Sequence, residues 1–318
     1  MSQQTGQRWA LVAVGVTMLL WASAFVGIRA AAPHFTSGAL ALGRLLTASV
    51  VLVAILLLRR EGLPPRAAWP AIMGAGVLWF GIYMVALNQG EQGVDAGTAA
   101  MIIGVAPILV ALLSGPVLGE QISRFLLIGL AVAVGGTVLI GLSVSGSADD
   151  SLGGVLLCLL AAAASAGGVI LQKPALRKAS AAQVTTFGCV VGAVACLPFT
   201  GQLVTQLGEA EPSAILNMVY LGVFPTALAF STWAYALART PASVMGITTF
   251  LVPALAVVMS WVVLGEVAGW LAIGGGVLCL AGVGISRMRA RPPAAATPEP
   301  ATLAASVSPS ENPRAEPR

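Results

Sequence analysis

Apolar residues run through this chain in long unbroken stretches, separated by short polar breaks. Ten such runs can be marked: 9–28, 37–58, 69–89, 97–118, 125–144, 152–172, 183–201, 213–236, 243–263 and 268–286. An α-helix needs roughly 20 apolar residues to cross the hydrocarbon core of a bilayer, and each run comes close to that length. The runs are continuous rather than alternating, which argues against strands. Backbone polar groups in lipid must also be satisfied within the segment. The pattern predicts an all-α polytopic membrane protein with ten transmembrane helices. Beyond the last run, residues 287–318 are rich in Pro, Ala, Ser and Thr without apolar periodicity, and read as a disordered cytoplasmic tail.

The pattern also repeats. Pro107 opens a stretch that ends Val-Leu-Gly-Glu at Glu120, and Pro253 opens one that ends in the same four residues at Glu266. The offset of 146 also pairs Gly76 with Gly222, Val77 with Val223, Ala96 with Ala242, Gly129 with Gly275 and Gly136 with Gly282. The chain therefore reads as two five-helix repeats, 9–144 and 152–286. With an odd number of spans in each half, the second must lie upside down relative to the first. That is the inverted-topology plan, and it places a pseudo-two-fold axis in the membrane plane. Internal repeats of this kind underlie many transporters.

Composition agrees with lipid as the solvent. Hydrophobic residues make up 58% of the chain and charged residues 9%, against about a quarter charged in soluble domains. The basic residues fix an orientation. With the N-terminus inside, the inner segments hold Arg8, Arg59, Arg60, Arg66, Arg124, Lys173, Arg177, Lys178, Arg239 and Arg287, whereas Arg29 alone falls outside. By the positive-inside tendency both termini face the cytoplasm of a cell membrane. The first run follows Arg8 as a signal peptide would, but it is too long for one and reads as an uncleaved helix.

The order of motifs resembles a known family. Trp21-Ala-Ser-Ala-Phe25 in the first span, Arg44 in the second and the doubled proline-to-Gly-Glu stretch are similar to the drug/metabolite transporter superfamily, and within it to EamA-type ten-span exporters. The resemblance covers about residues 9–286. It implies a central cavity, alternating access and export of amino acids, related metabolites or toxic compounds. It also adds Trp21 and Ser23 to the candidate site. The second half departs from the pattern, reading Ala-Ala-Ala-Ala-Ser-Ala-Gly-Gly over 161–168, so the cavity is expected to be asymmetric.

Several residues are candidates to carry transport. Arg44 is a charge well inside a span, where it costs roughly 3 kcal/mol on insertion scales. It reads as a ligand for a substrate carboxylate or phosphate, or else as a group that reaches the outer interface or caps carbonyls. Pro107 and Pro253 sit at matching mid-helix positions and read as cavity-facing kinks or gates, or as fixed kinks. Trp79 and Tyr83 share a face of the third span; Thr226, Phe230 and Trp233 share one on the eighth. These rings suit a wall for an amphipathic or aromatic substrate, or packing against helices and lipid. Asn88, Gln89, Gln172, Thr248 and Thr249 are further polar donors. Glu120 and Glu266 read as caps on the amides of the next helix or partners of an arginine, with proton coupling as the other option. Glycines 129, 135, 136 and 141, with 274, 275, 276, 282 and 284, form small-residue faces for helix packing or a homodimer contact.

Absences narrow the classes. There is no Gly-Lys dipeptide and hence no P-loop, and His34 is the single histidine. Cys158, Cys189, Cys196 and Cys279 lie in apolar runs at spacings that suit neither zinc nor a disulfide framework. No cofactor, metal or nucleic-acid partner is expected. The partners are a small-molecule substrate and the lipid bilayer. A carrier fits best; a channel or a lipid-modifying membrane enzyme is the alternative.

Overall fold

A computed structural model describes residues 3–31, 33–90, 102–144, 152–252, 254–255, 258–259, 269–286 and 288. Helix is the regular secondary structure throughout, and no strand occurs among the described residues. The helices are α1 (Gln3–Ala31), α2 (Ser37–Leu58), α3 (Arg66–Gly90), α4 (Val105–Leu118), α5 (Arg124–Val144), α6 (Leu152–Leu176), α7 (Ala181–Ala195), α8 (Thr200–Glu209), α9 (Pro212–Leu237), α10 (Ala242–Thr248) and α11 (Trp270–Ser286). Among the described residues α2, α3, α6 and α9 are long and apolar enough to cross a membrane, and α7 with α8 makes a fifth candidate if the bent pair is one span. Pro253, Glu266 and the tail apart from Met288 lie outside the described residues.

The seventh apolar run does not end as its pattern suggested. α7 stops at Ala195, one tight turn covers Leu197–Phe199, and α8 continues after a 52° bend to Glu209. Pro198 sits in that turn, where it lacks an N–H and obstructs a continuous helix. α8 is amphipathic and buries only Leu203, so a search for unbroken apolar stretches passes over it. It is fastened to the start of α2. Thr36 donates its backbone N–H to Gln206 Oε1 at 2.9 Å and its hydroxyl to Gln202 Oε1 at 2.7 Å.

One local device recurs at the repeat offset. α3 widens into a π-helical turn over Gly76–Ile82, and α9 does the same over Gly222–Leu228. Adding 146 to the first range gives the second. Such turns are rare and are frequently found at functional sites. In α9 the device is visible in the bonding: Pro225 has no N–H to give, and the Thr226 hydroxyl donates to the Leu221 carbonyl at 2.7 Å.

Packing runs largely between the halves. α3 lies on α6 and α7, while α9 lies on α1 and α2; α4 packs on α10, and α5 on α11. The α5–α11 seam is the closest. A Cβ at Gly129 would stand 2.4 Å from the Gly282 carbonyl oxygen, and a Cβ at Gly282 would stand 2.5 Å from that of Gly129. One at Gly136 would stand 2.5 Å from the Gly275 oxygen. Only glycine permits that backbone approach. Residue 129 therefore meets the repeat equivalent of 136, and 136 meets the equivalent of 129, the reciprocal pattern of a two-fold contact. As one number rises the other falls, so the two helices run antiparallel.

Candidate substrate site

Five aromatic side chains gather where the halves meet. Trp21 (α1), Trp79 and Phe80 (α3) and Phe230 and Trp233 (α9) form one aromatic cluster. Trp79 lies 5.0 Å from Phe230 and 5.4 Å from Trp233 between ring centroids, and Trp21 lies 5.1 Å from Trp233 and 6.0 Å from Trp79. Phe80 packs at a tilt against Phe230, at 4.5 Å between centroids. Tilted and edge-on geometries of this kind are the favoured ones for aromatic pairs. Four of the rings are buried, with Trp233 at 0% exposure, whereas Trp21 is half-buried.

Small residues on facing helices make room for the rings. A Cβ at Gly168 would fall 2.5 Å from that of Trp79, and one at Gly192 would fall 2.3 Å from that of Phe80. The Ala-Gly-rich stretch 161–168, which breaks the aromatic pattern of the first half, thus serves as the surface on which Trp79 rests. Polar groups tie these residues to the neighbouring helices. Trp233 Nε1 donates to Gln172 Oε1 at 3.1 Å, and the Thr185 hydroxyl reaches the Phe230 carbonyl at 3.4 Å. The Trp21 indole N–H is shielded and has no acceptor among the described residues.

Arg44 is buried and donates from Nη2 to the Thr226 hydroxyl at 3.2 Å, joining α2 to the π-helical turn of α9. Thr226 thus accepts from the arginine while donating to Leu221, which fixes its hydroxyl between them. The Ser23 hydroxyl is 2.6 Å from the Tyr220 hydroxyl, a pairing between α1 and α9. Tyr220 was missed in the sequence because nothing in its run sets it apart.

The other candidates are placed as follows. Tyr83 packs at the margin of the central core. Asn88 donates to the Ser37 carbonyl at 3.2 Å and ties α3 to α2. Thr249 donates to Gly246 in its own turn at 2.7 Å. Pro107 is the third residue of α4, in its first turn, rather than mid-helix. The helix is interrupted at Gly104, and a missing N–H costs nothing in a first turn. Pro253 lies outside the described residues.

Two ions at helix ends complete the picture. The Glu120 carboxylate accepts from the amides of Ala242 at 2.6 Å and Ser243 at 3.0 Å and from the Ser243 hydroxyl at 2.8 Å. It does cap backbone amides, but those of α10 in the other half, not of the helix that follows it. Lys173 Nζ donates to the carbonyls of Leu237 and Thr240. Among the described residues no three His, Cys, Asp or Glu side chains are grouped to hold a metal, and the four cysteines are buried.

The rings come from both halves, and two of the helices that carry them, α3 and α9, are long and apolar enough to cross a membrane, which defines the class: a helical membrane protein. The chain belongs to the EamA-like transporter family, which matches residues 8–142 and 152–288. It is 36% identical over 279 residues to a probable terminal-alkyne amino-acid exporter of Streptantibioticus cattleyicolor, covering 86% of this chain and 91% of that one. It is 35% identical to an uncharacterized transporter, YdfC, of Bacillus subtilis, over 83% of this chain and 86% of the relative. A probable amino-acid metabolite efflux pump of Salmonella typhimurium is 26% identical over 85% of this chain and 92% of its own. A crystal structure at 19% identity superposes with a TM-score of 0.74, covering 88% of this chain and 98% of its own. At that identity the likeness speaks for the fold alone.

Proposed function

We propose that this chain is a secondary transporter that exports small metabolites, amino acids or related compounds and, more widely, drugs, by alternating access. In this reading ten transmembrane helices form two inverted five-helix repeats, 9–144 and 152–286. Both termini face the cytoplasm, and the substrate sits between the halves. The observation that carries the reading is the aromatic cluster of Trp21, Trp79, Phe230 and Trp233, contributed by both halves, with the Arg44–Thr226 bond also crossing between them. Planar rings suit an apolar side chain, and a guanidinium suits a carboxylate. The reciprocal glycine contacts of α5 and α11 and the doubled π-helical turn favour a two-fold relation between the repeats. The amino-acid class is favoured by the names that two relatives carry.

The test is counterflow. Purified protein goes into liposomes loaded with a pool of amino acids and other metabolites, with labelled candidates outside, at equal and then unequal pH. Transient accumulation of one labelled compound is the expected result, since only a carrier exchanges across the membrane in this way. Flux without trans-stimulation would mean a channel, and turnover in detergent would mean an enzyme.

A further inference from the structure

Resting on the carrier reading above, we propose that Glu120 and Lys173 form a two-part latch that closes one face of the site and must open in each transport cycle. The latch grips the corner between α9 and α10. α9 ends at Leu237 and α10 begins at Ala242, so this corner presents orphan carbonyls on one side and orphan amides on the other. Both sets are met from elsewhere in the chain. Lys173 from α6 takes the carbonyls of Leu237 and Thr240. Glu120, just past α4, takes the amides of Ala242 and Ser243 and the Ser243 hydroxyl. Each ion faces the helix end of opposite partial charge, so Coulomb and hydrogen-bond terms act together.

The placement of Glu120 depends on a backbone reversal. Gly119 ends α4 in the left-handed region at φ 69°, which turns the next residue towards α10. Glu120 belongs to the first half, and everything it grips belongs to the second. Lys173 in turn follows Gln172, the acceptor for Trp233. The corner, the two ions and the aromatic cluster are therefore linked through α6 and α9. A swing of the corner away from Glu120 and Lys173 pulls on Trp233 and so on its contacts with Trp21 and Trp79. Release of the latch and loosening of the substrate wall become one event.

The test reads access to the corner and needs no substrate. Leu237 is fully buried, and Leu237→Cys leaves its backbone carbonyl in place. The full chain carrying this substitution, in lipid nanodiscs, is exposed to a bulky charged maleimide, and labelled positions are resolved by mass spectrometry. Adding Glu120→Gln with Lys173→Gln should raise the labelling rate at position 237 about tenfold, the weight of one charge-assisted bond. The four native cysteines, all buried, should stay unlabelled and so report an intact fold. Glu120→Asp, which keeps the charge on a shorter stem, should give an intermediate rate and covers the case in which the double variant unfolds. Equal rates in parent and variants overturn the latch. A second arm uses Glu120→Cys with Ser243→Cys. A disulfide formed by added oxidant should abolish counterflow and reductant should restore it, whereas undiminished counterflow with the bond formed overturns the proposal. Counterflow by the unaltered chain tests the carrier reading alone, so the two ideas fail separately.

Discussion

Arg44 has 6% of its surface exposed, and its guanidinium donates to a threonine hydroxyl. A charge so placed is retained for a reason or removed at little loss, and the two cases separate by mutation. Arg44→Ala should reduce counterflow sharply while membrane insertion is unchanged. Arg44→Lys should weaken it, because an ammonium lacks the planar fork. Transport at the normal rate in the alanine variant would sink the anion-binding role. Trp233→Phe keeps an aromatic ring but strips the donor from Gln172, itself 1% exposed. Leaving that oxygen unpaired should destabilise the protein by about 1–3 kcal/mol, read as a lower midpoint of thermal unfolding in detergent. An unchanged midpoint would mean that Gln172 finds another donor. The shared faces of Trp79 and of Phe230 with Trp233 were legible in the sequence, and Trp21 entered through the family resemblance. Their meeting was not legible, because it depends on Gly168 and Gly192 of other helices standing opposite them. Nothing in the runs of Phe80 and Tyr220 sets them apart, and their partners, Phe230 and Ser23, lie far off in the chain.

At the scale of elements, the π-helical turns decide which way the rings face. A turn with one extra residue shifts everything after it by about 100° relative to a regular helix, since each residue advances the helix by that angle. Deleting Val223 should let α9 close into regular helix and turn Phe230 and Trp233 away from Trp21. The expected outcome is loss of counterflow, with the Trp233 indole becoming accessible to a collisional quencher. Retained transport would show that the rings are not required in this register. No sequence signal marks such a turn, although Pro225 inside the run is consistent with one. The long apolar helices α2, α3, α6 and α9 were read well because burial in lipid demands unbroken hydrophobicity. α8 escaped the same reading because an amphipathic helix presents polar residues to one side.

At the scale of the whole molecule, the placement of loops is open to direct test. In the proposed topology the α2–α3 and α9–α10 connections lie on one side of the membrane and the end of α8 on the other. Accessible tags inserted at Gly62 and after Arg239 should report one side, and a tag at Gly208 should report the opposite one. Gly62 and Gly208 on the same side would end the inverted arrangement. The repeat was visible in the sequence as an offset. How the halves touch was not, because an offset pairs residues by descent and contact pairs them by geometry. The α5–α11 seam shows the difference. Gly129 corresponds to Gly275 but rests on Gly282, and Gly136 corresponds to Gly282 but approaches Gly275. Evolutionary drift is therefore constrained along the crossed pairs. A bulkier residue at 129 meets the backbone of 282, which no substitution there can shrink, so 129 and 282 stay small together, while 275 answers to 136.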